Sequence, residues 1–462
     1  MMRTRTLSAI MLLLSLCGCK VGPNYQRPAV DVPGQYRGLA PNLPPQPPND
    51  SFAQMQWQSV FQDKVLQELI AESLKNNYDM RIAAVHILEA QAALGVARAG
   101  QLPTLSGSFG VQNVRQEPTA AGSPTIDTAG LQFNYLVDFW GQFRRATESA
   151  RASLLATSYA RNLVQTTLIA SVASTYFQLR GMDAELEFSR QSVLADRESQ
   201  RINEINFKGG EYAITDVYQA QLLVQQAEAE VITLDQTIQQ TENALSILLG
   251  RNPGPILRGL ALTDEPHLTE VPAGLPSAIL ERRPDVRQAE ESLVAANANI
   301  GVAKAAFFPQ IPLTATFGAA STALTSFLQG PATFWTIGGE LAQPLYAGGA
   351  ITNRYRLAKA QRDEAELDYR QTVQQAFEDV SNSLIGYTQA QKYRAKIEEQ
   401  TATYKETSRL ASVRFKGGAT SFLEVLTTQQ QYFTSELNLQ QAWSAELQGY
   451  VALYQALGGG WQ

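Results

Sequence analysis

The chain repeats itself at a nearly fixed distance, and each copy contains a stretch too long for a compact globular core. Asp79-Met80-Arg81 returns as Asp285-Val286-Arg287, Gly95-Val96-Ala97-Arg98-Ala99 as Gly301-Val302-Ala303-Lys304-Ala305, and Pro103 as Pro309, all displaced by 206 residues. Phe207-Lys208-Gly209-Gly210 returns as Phe415-Lys416-Gly417-Gly418, displaced by 208. Matches in one order at nearly one spacing define two tandem halves of roughly 200 residues each. Each half holds 69 residues without proline, from Phe139 to Phe207 and from Ala347 to Phe415. A continuous helix of that length reaches ~100 Å, which suits a helical bundle or coiled coil.

Both stretches end in Lys-Gly-Gly. Glycine takes the left-handed conformation that closes a helix, and lysine favours the negative end of the helix dipole. Gly209, Gly210, Gly417 and Gly418 are therefore expected at helix-to-helix turns, over 207–211 and 415–419. A returning helix over about 211–250 carries a 3.5-residue seam from Val217, Ala220, Val224 and Ala227 to Leu245 and Leu248. A further helix is expected over 276–308.

Elsewhere the period switches to two. Leu131, Phe133, Tyr135 and Val137 alternate with Gln132, Asn134 and Asp138; Leu313, Ala315 and Phe317 alternate with Thr314 and Thr316. This predicts strands over about 103–115, 128–139, 309–320 and 333–346, each two-faced and near the length of a tilted membrane strand. Aromatics gather at their ends: Phe139 and Trp140, Phe334 and Trp335, Tyr346. Alternation alone fits a soluble sheet with one buried face equally well. The first 19 residues tip the choice. Arg3 and Arg5 precede an apolar run, Leu7 to Leu16, that is too short to span a bilayer and reads as a secretory signal. Leu16-Cys17-Gly18-Cys19 resembles a bacterial lipobox, so Cys19 is expected to carry lipid. Residues 1–18 are then the signal peptide and 19–60 a proline-rich tether. The first repeat spans 61–255 and the second 256–462. No later segment has 18 continuous apolar residues, so no membrane helix is expected. Four strands cannot close a membrane barrel, because the smallest have eight. Several chains must share one, and three would supply twelve strands.

Composition excludes other classes. Net charge is −6, and cleavage before Cys19 removes only Arg3 and Arg5, leaving −8. No basic cluster exists for nucleic acid. The only cysteines are Cys17 and Cys19, and the only histidines His86 and His267. No metal set, catalytic constellation or phosphate-cradling loop is present. Neither an enzyme nor a cofactor is expected. Arg282, Arg283 and Asp285 read as structural, with Pro284 and Asp285 opening a helix.

Cys19-Lys20-Val21-Gly22-Pro23-Asn24-Tyr25-Gln26-Arg27-Pro28, Glu281-Arg282-Arg283-Pro284-Asp285-Val286-Arg287 with Ala289-Glu290, Phe308-Pro309-Gln310-Ile311 and Leu345-Tyr346-Ala347-Gly348-Gly349 resemble the outer-membrane factor family of efflux systems, in its OprM/NodT lipoprotein branch. The resemblance covers essentially the whole mature chain. It implies a mostly helical fold with a small membrane β-barrel: a homotrimer, four strands per chain in a twelve-stranded barrel, above a long periplasmic helical barrel with a closed tip. It implies an outer-membrane exit duct, lipid-anchored through N-palmitoyl and S-diacylglycerol groups on Cys19. Expected partners are a periplasmic adaptor and an inner-membrane, usually proton-driven, transporter. Leu423 matches a hydrophobic constriction residue. The branch's next carboxylate falls on Thr427, a departure. Glu424 and its equivalent Asp216 are candidates for a negative ring, or equally for helix-start acids near the dipole. Siderophore or metal export, and a structural periplasmic coiled-coil lipoprotein, are the alternative functions.

Overall fold

The computed structural model describes residues 20–38, 52–113, 125–268, 271–272, 274–321 and 332–461. In chain order the main elements are α1 (Lys64–Asn76), α2 (Tyr78–Ala99), β1 (Thr104–Asn113), β2 (Thr125–Leu136), α3 (Gln142–Lys208), α4 (Ile214–Leu248), α5 (Pro284–Ala305), β3 (Pro312–Ser321), β4 (Thr333–Gly339), α6 (Ala350–Lys416) and α7 (Phe422–Ala456). Short helical turns occur at Phe52–Gln54, Trp57–Val60, Leu262–Asp264 and Pro276–Arg282.

The repeat holds at the level of whole elements. α3 and α6 are each 67 residues long, α4 and α7 each 35, α2 and α5 each 22. The change of displacement from 206 to 208 falls between α5 and β3, at Gln310 and Ile311. Those two residues extend the sheet: Gln310 exchanges backbone hydrogen bonds of 2.8 and 2.9 Å with Ala342, and Val137 N–H donates to Ile311 at 3.1 Å.

Two boundaries differ from the sequence reading. The helix expected over 276–308 breaks at Arg283, which is extended (ψ 122°). A residue before proline avoids the helical region, and Pro284 restarts the helix as its first residue. β4 ends at Gly339, well short of 346. Beyond Gly338 and Gly339 the Glu340 amide still donates to the Pro312 carbonyl and Ala342 pairs with Gln310, and Pro344 has no amide to donate. α2, finally, is long and apolar enough to cross a bilayer by length and composition. Continuous apolar runs do not reveal it, because His86 and Glu89 interrupt them.

The chain divides into two compact units. One comprises Met1–Ala29, Val85–Ser158 and Gln288–Gln371; the other Val30–Ala84, Tyr159–Arg287 and Thr372–Gln462. In the first, residues 20–27 are not a free tether. Arg145 is fully buried and donates to the carbonyls of Val21 and Gly22 and to Asn24 Oδ1, at 2.9–3.2 Å. Lys20 pairs with Glu148. Arg27 meets Glu290 at 2.7 Å, Tyr25 hydroxyl donates to the same carboxylate, and Asn297 donates to the Pro23 carbonyl. Gly22 (φ +100°) crosses Gly301 so closely that a Cβ on Gly22 would lie 2.5 Å from Gly301 Cα. The equivalent of Gly301 in the first half, Gly95, has nothing within 4 Å. The segment thus packs on α5, whereas α2 carries a bare apolar stripe, with Ile82, Val85, Leu88 and Val96 all more than half exposed.

The second unit has an aromatic core. Phe52 packs on Tyr450 and Tyr454 at 5.0 and 5.3 Å, and Phe61 on Tyr454 at 5.8 Å. Asp63, 2 % exposed, accepts from Tyr176 hydroxyl (2.7 Å) and from the Val65 and Leu260 amides.

Replacing Gly301 by valine should expel residues 20–24 from α5, because the added atoms meet Arg145 and the Val21 carbonyl at 2.8 Å. The cost expected for such overpacking is about 1–3 kcal/mol. Limited proteolysis should then cut the G301V N-terminal segment readily and melting should occur earlier. Wild-type protection and melting in G301V would contradict the crossing.

Candidate functional site

The four strands form one antiparallel sheet in the order β1-β2-β3-β4. Because side chains alternate along each strand, the register sorts them into rows across the sheet. Leu105, Phe133, Ala315 and Ile337 make one row, and Gly107, Leu131, Phe317 and Trp335 the next on the same face. Ser106, Gln132, Thr316 and Thr336, with Thr104, Asn134 and Thr314, form rows on the other face. The apolar face is uncovered: Leu105, Phe317, Trp335 and Ile337 are 69, 61, 70 and 78 % exposed. A soluble sheet hides such a face against a core; a contiguous bare apolar surface marks contact with lipid or protein. Phe334 departs from the expected grouping, standing on the polar face beside Gly318. β1 and β4 are both edge strands, with one row of backbone groups unpaired within the sheet.

Below the strands Trp140 stacks on Phe308 at 4.6 Å and donates its indole N–H to the Pro309 carbonyl at 2.7 Å. The Val21 amide donates to the Trp140 carbonyl at 3.1 Å. Lys20 therefore lies at this aromatic layer. Cys19 precedes it and lies outside the described residues. Nothing in the proline-rich composition of 20–50 signalled this docking, which rests on Arg145 in the first turn of α3 and on the Gly22–Gly301 crossing.

In the second unit both long helices close with the same pair of hydrogen bonds. Gly210 and Gly418 take φ +80° and +71°. Gly210 N–H donates to Phe207 and Glu211 N–H to Asn206; Gly418 donates to Phe415 and Ala419 to Arg414. These bonds satisfy the last carbonyls of each helix. Gly209 and Gly417 precede the left-handed residues. Phe415 bridges the two hairpins, 5.3 Å from Phe422 and 5.4 Å from Tyr212, over a core of Ala220, Ala411, Phe422, Val425 and Leu426.

Leu423 follows buried Phe422 and is 60 % exposed. The two carboxylates are less free than the sequence suggests. Asp216 accepts from the Ala213 amide at 3.2 Å, capping the start of α4. Glu424 is bound by Arg414 at 2.8 Å and by Thr420. Thr427 donates to the Leu423 carbonyl. Asp216 thus bonds the helix-start backbone, whereas Glu424's charge is met in part by Arg414 inside the hairpin.

The remaining polar candidates are structural. His86 is exposed. His267 joins Glu446 at 3.1 Å, a hydrogen bond that raises its pKa, and Arg394 caps the same carboxylate. Arg283 holds Asp285 and Asp379 at 2.6 and 2.8 Å and donates to the Ala456 carbonyl. Among the described residues no group of histidine, cysteine or acids is placed to hold a metal.

A family-wide sequence profile described as "Outer membrane efflux protein" matches residues 69–251 and again 275–459. The chain belongs to this family. The two matched stretches begin 206 residues apart and end 208 apart, the same displacements as the internal repeat. Relatives among outer membrane efflux proteins include the solvent efflux pump outer membrane protein SrpC of Pseudomonas putida, 34 % identical over 456 residues and 97 % of both chains. The cation efflux system protein CusC of Escherichia coli K12 is 30 % identical over 453 residues, again 97 % of both. The solved structure of a CusC superposes with a TM-score of 0.87 at 29 % identity, covering 95 % of this chain and all of the other. The open state of the Neisseria gonorrhoeae MtrE outer membrane channel gives 0.87 at 27 %, covering 96 and 99 %. The family is one of outer membrane efflux channels, and this chain shares its fold and that transport function.

Proposed function

We propose that three copies of this chain form a lipid-anchored exit duct that crosses the outer membrane and reaches into the periplasm. The observation that carries this reading is the sheet: a bare apolar face, a polar face of hydroxyls and amides, and two open edges. In lipid every backbone group needs a protein partner, so β4 of one copy must pair with β1 of the next. Three copies give twelve strands, with Leu105, Leu131, Phe317 and Ile337 towards lipid and Ser106, Gln132, Thr316 and Thr336 towards a wet lumen. The bare face of α2, with Ile82, Val85 and Leu88, would pack on a neighbouring copy. The duct is passive: a periplasmic adaptor joins it to an inner-membrane, proton-driven transporter that supplies the energy.

Cargo follows the partners. The relatives carry names of solvent, toluene, antibiotic and cation efflux. With Met55, Met80 and Met182 the only methionines in the body, nothing favours export of soft metals such as copper. Drugs or other small organic molecules fit best.

At the tip, Leu423 is assigned as the hydrophobic constriction, with Asp216 and Glu424 supplying negative charge that favours cations. Purified protein in planar bilayers should give discrete conductance steps, and Leu423→Ala should enlarge them or raise the open fraction. Identical steps in the variant would remove Leu423 from the gate, and no steps from either protein would overturn the duct. Lipid on Cys19 predicts that cells fed radioactive palmitate label the wild-type protein and not Cys19→Ser; persistent labelling of that variant would refute the attachment site.

A further inference from the structure

Within the second unit, α3, α4, α6 and α7 line a half-open pocket of about 310 Å³. It arises where small side chains face one another: Ser192 and Ala195 on α3, Ala227 on α4 and Ser408 on α6. The size is at the lower end for pockets that hold small organic ligands.

Its lining specifies the chemistry. One wall is aromatic, where Phe188 stacks on Phe433 at 5.7 Å and meets Tyr432 edge-on at 5.7 Å. Two acceptors on this lining lack partners. No described residue hydrogen-bonds or ion-pairs with the Asp196 carboxylate. The Gln429 carbonyl oxygen is buried and likewise without a partner. The cations on the same helix are engaged elsewhere: Arg197 holds Glu228 at 2.5 Å and Arg190 faces Asp235 at 3.9 Å. Burial pushes the Asp196 carboxyl up to about 6, which leaves it charged at neutral pH. A partly desolvated carboxylate, an unsatisfied amide oxygen and an aromatic wall together favour a cation with an apolar body. An anion would meet two acceptors, and a neutral apolar molecule would leave both unsatisfied.

We propose that this pocket is a binding site for a small organic cation bearing an aromatic or similar apolar group. Its ammonium sits between Asp196 and Gln429, and its apolar body lies against Phe188 and Phe433. The site is separate from the sheet and from Leu423. It joins the α3–α4 hairpin to α6 and α7, so the bound cation ties together helices from both halves of the repeat.

Calorimetric titration of the full-length protein in a non-ionic detergent tests this, with phenethylammonium chloride as probe and 2-phenylethanol as its uncharged counterpart. The expected result is saturable binding of the ammonium, one per chain, with a rise in melting temperature. Asp196→Asn should weaken it by about tenfold or more, since a desolvated charge contact is lost. Should that variant not assemble, Gln429→Leu carries the same comparison, with a severalfold loss expected. Absence of saturable binding, equal affinity for 2-phenylethanol, or unchanged affinity in a folded variant would overturn the proposal.

Discussion

Unpaired backbone groups cannot remain in hydrocarbon, and the rest of this molecule is arranged around that constraint. Each missing partner costs several kcal/mol in lipid. A sheet of four strands with two open edges is therefore incomplete as a membrane structure. Over the rows from Leu105 to Trp335 the register gives the sheet one apolar face and one largely hydroxyl and amide face; Thr333, Asp127 and Ser321 fall on the apolar side only in the outermost rows. A shift of one residue in any strand would mix the faces. In the proposed duct, assembly from several chains is then a requirement of the backbone and not an added feature.

The two halves share a plan yet are used differently. α2 and α5 are equal in length, but only α5 is covered by the N-terminal segment, through Gly22 on Gly301 and the Arg27–Glu290 pair. A chain has one N-terminus and two repeats, so this packing can occur only once. What remains on α2 is an apolar stripe suited to a partner of similar shape. The same segment brings Lys20 to the layer of Trp140 and Phe308, beside the residue expected to carry lipid.

Much of the fold was legible because its signals are periodic. The 67-residue helices, the Lys-Gly-Gly turns and the alternating strands all follow from spacing, and the repeat fixed their correspondence. The missed features depend on tertiary context. The docking of residues 20–27 rests on a buried arginine and one glycine crossing, neither of which has a period. The break at Arg283 was legible only in part: Pro284 and Asp285 read as a helix opening, yet one helix was expected across 276–308. Leu423 was singled out through family resemblance and Glu424 as a nearby acid that the repeat pairs with Asp216, whereas the grip of Arg414 on Glu424 joins residues ten apart across a turn and leaves no trace in composition. The trimer came from resemblance as well; spacing alone said only that one chain has too few strands.

The direct test is the environment of consecutive residues on β2. Beyond Cys19 the mature chain has no cysteine, so nitroxide labels can be placed singly at Leu131, Gln132, Phe133 and Asn134 of the reconstituted protein. Collision rates with oxygen, which concentrates in lipid, and with a water-soluble nickel chelate would report each environment. The account predicts a strict two-residue alternation, with oxygen dominant at 131 and 133 and nickel at 132 and 134. Four labels that all meet water, or that show no alternation, would contradict it.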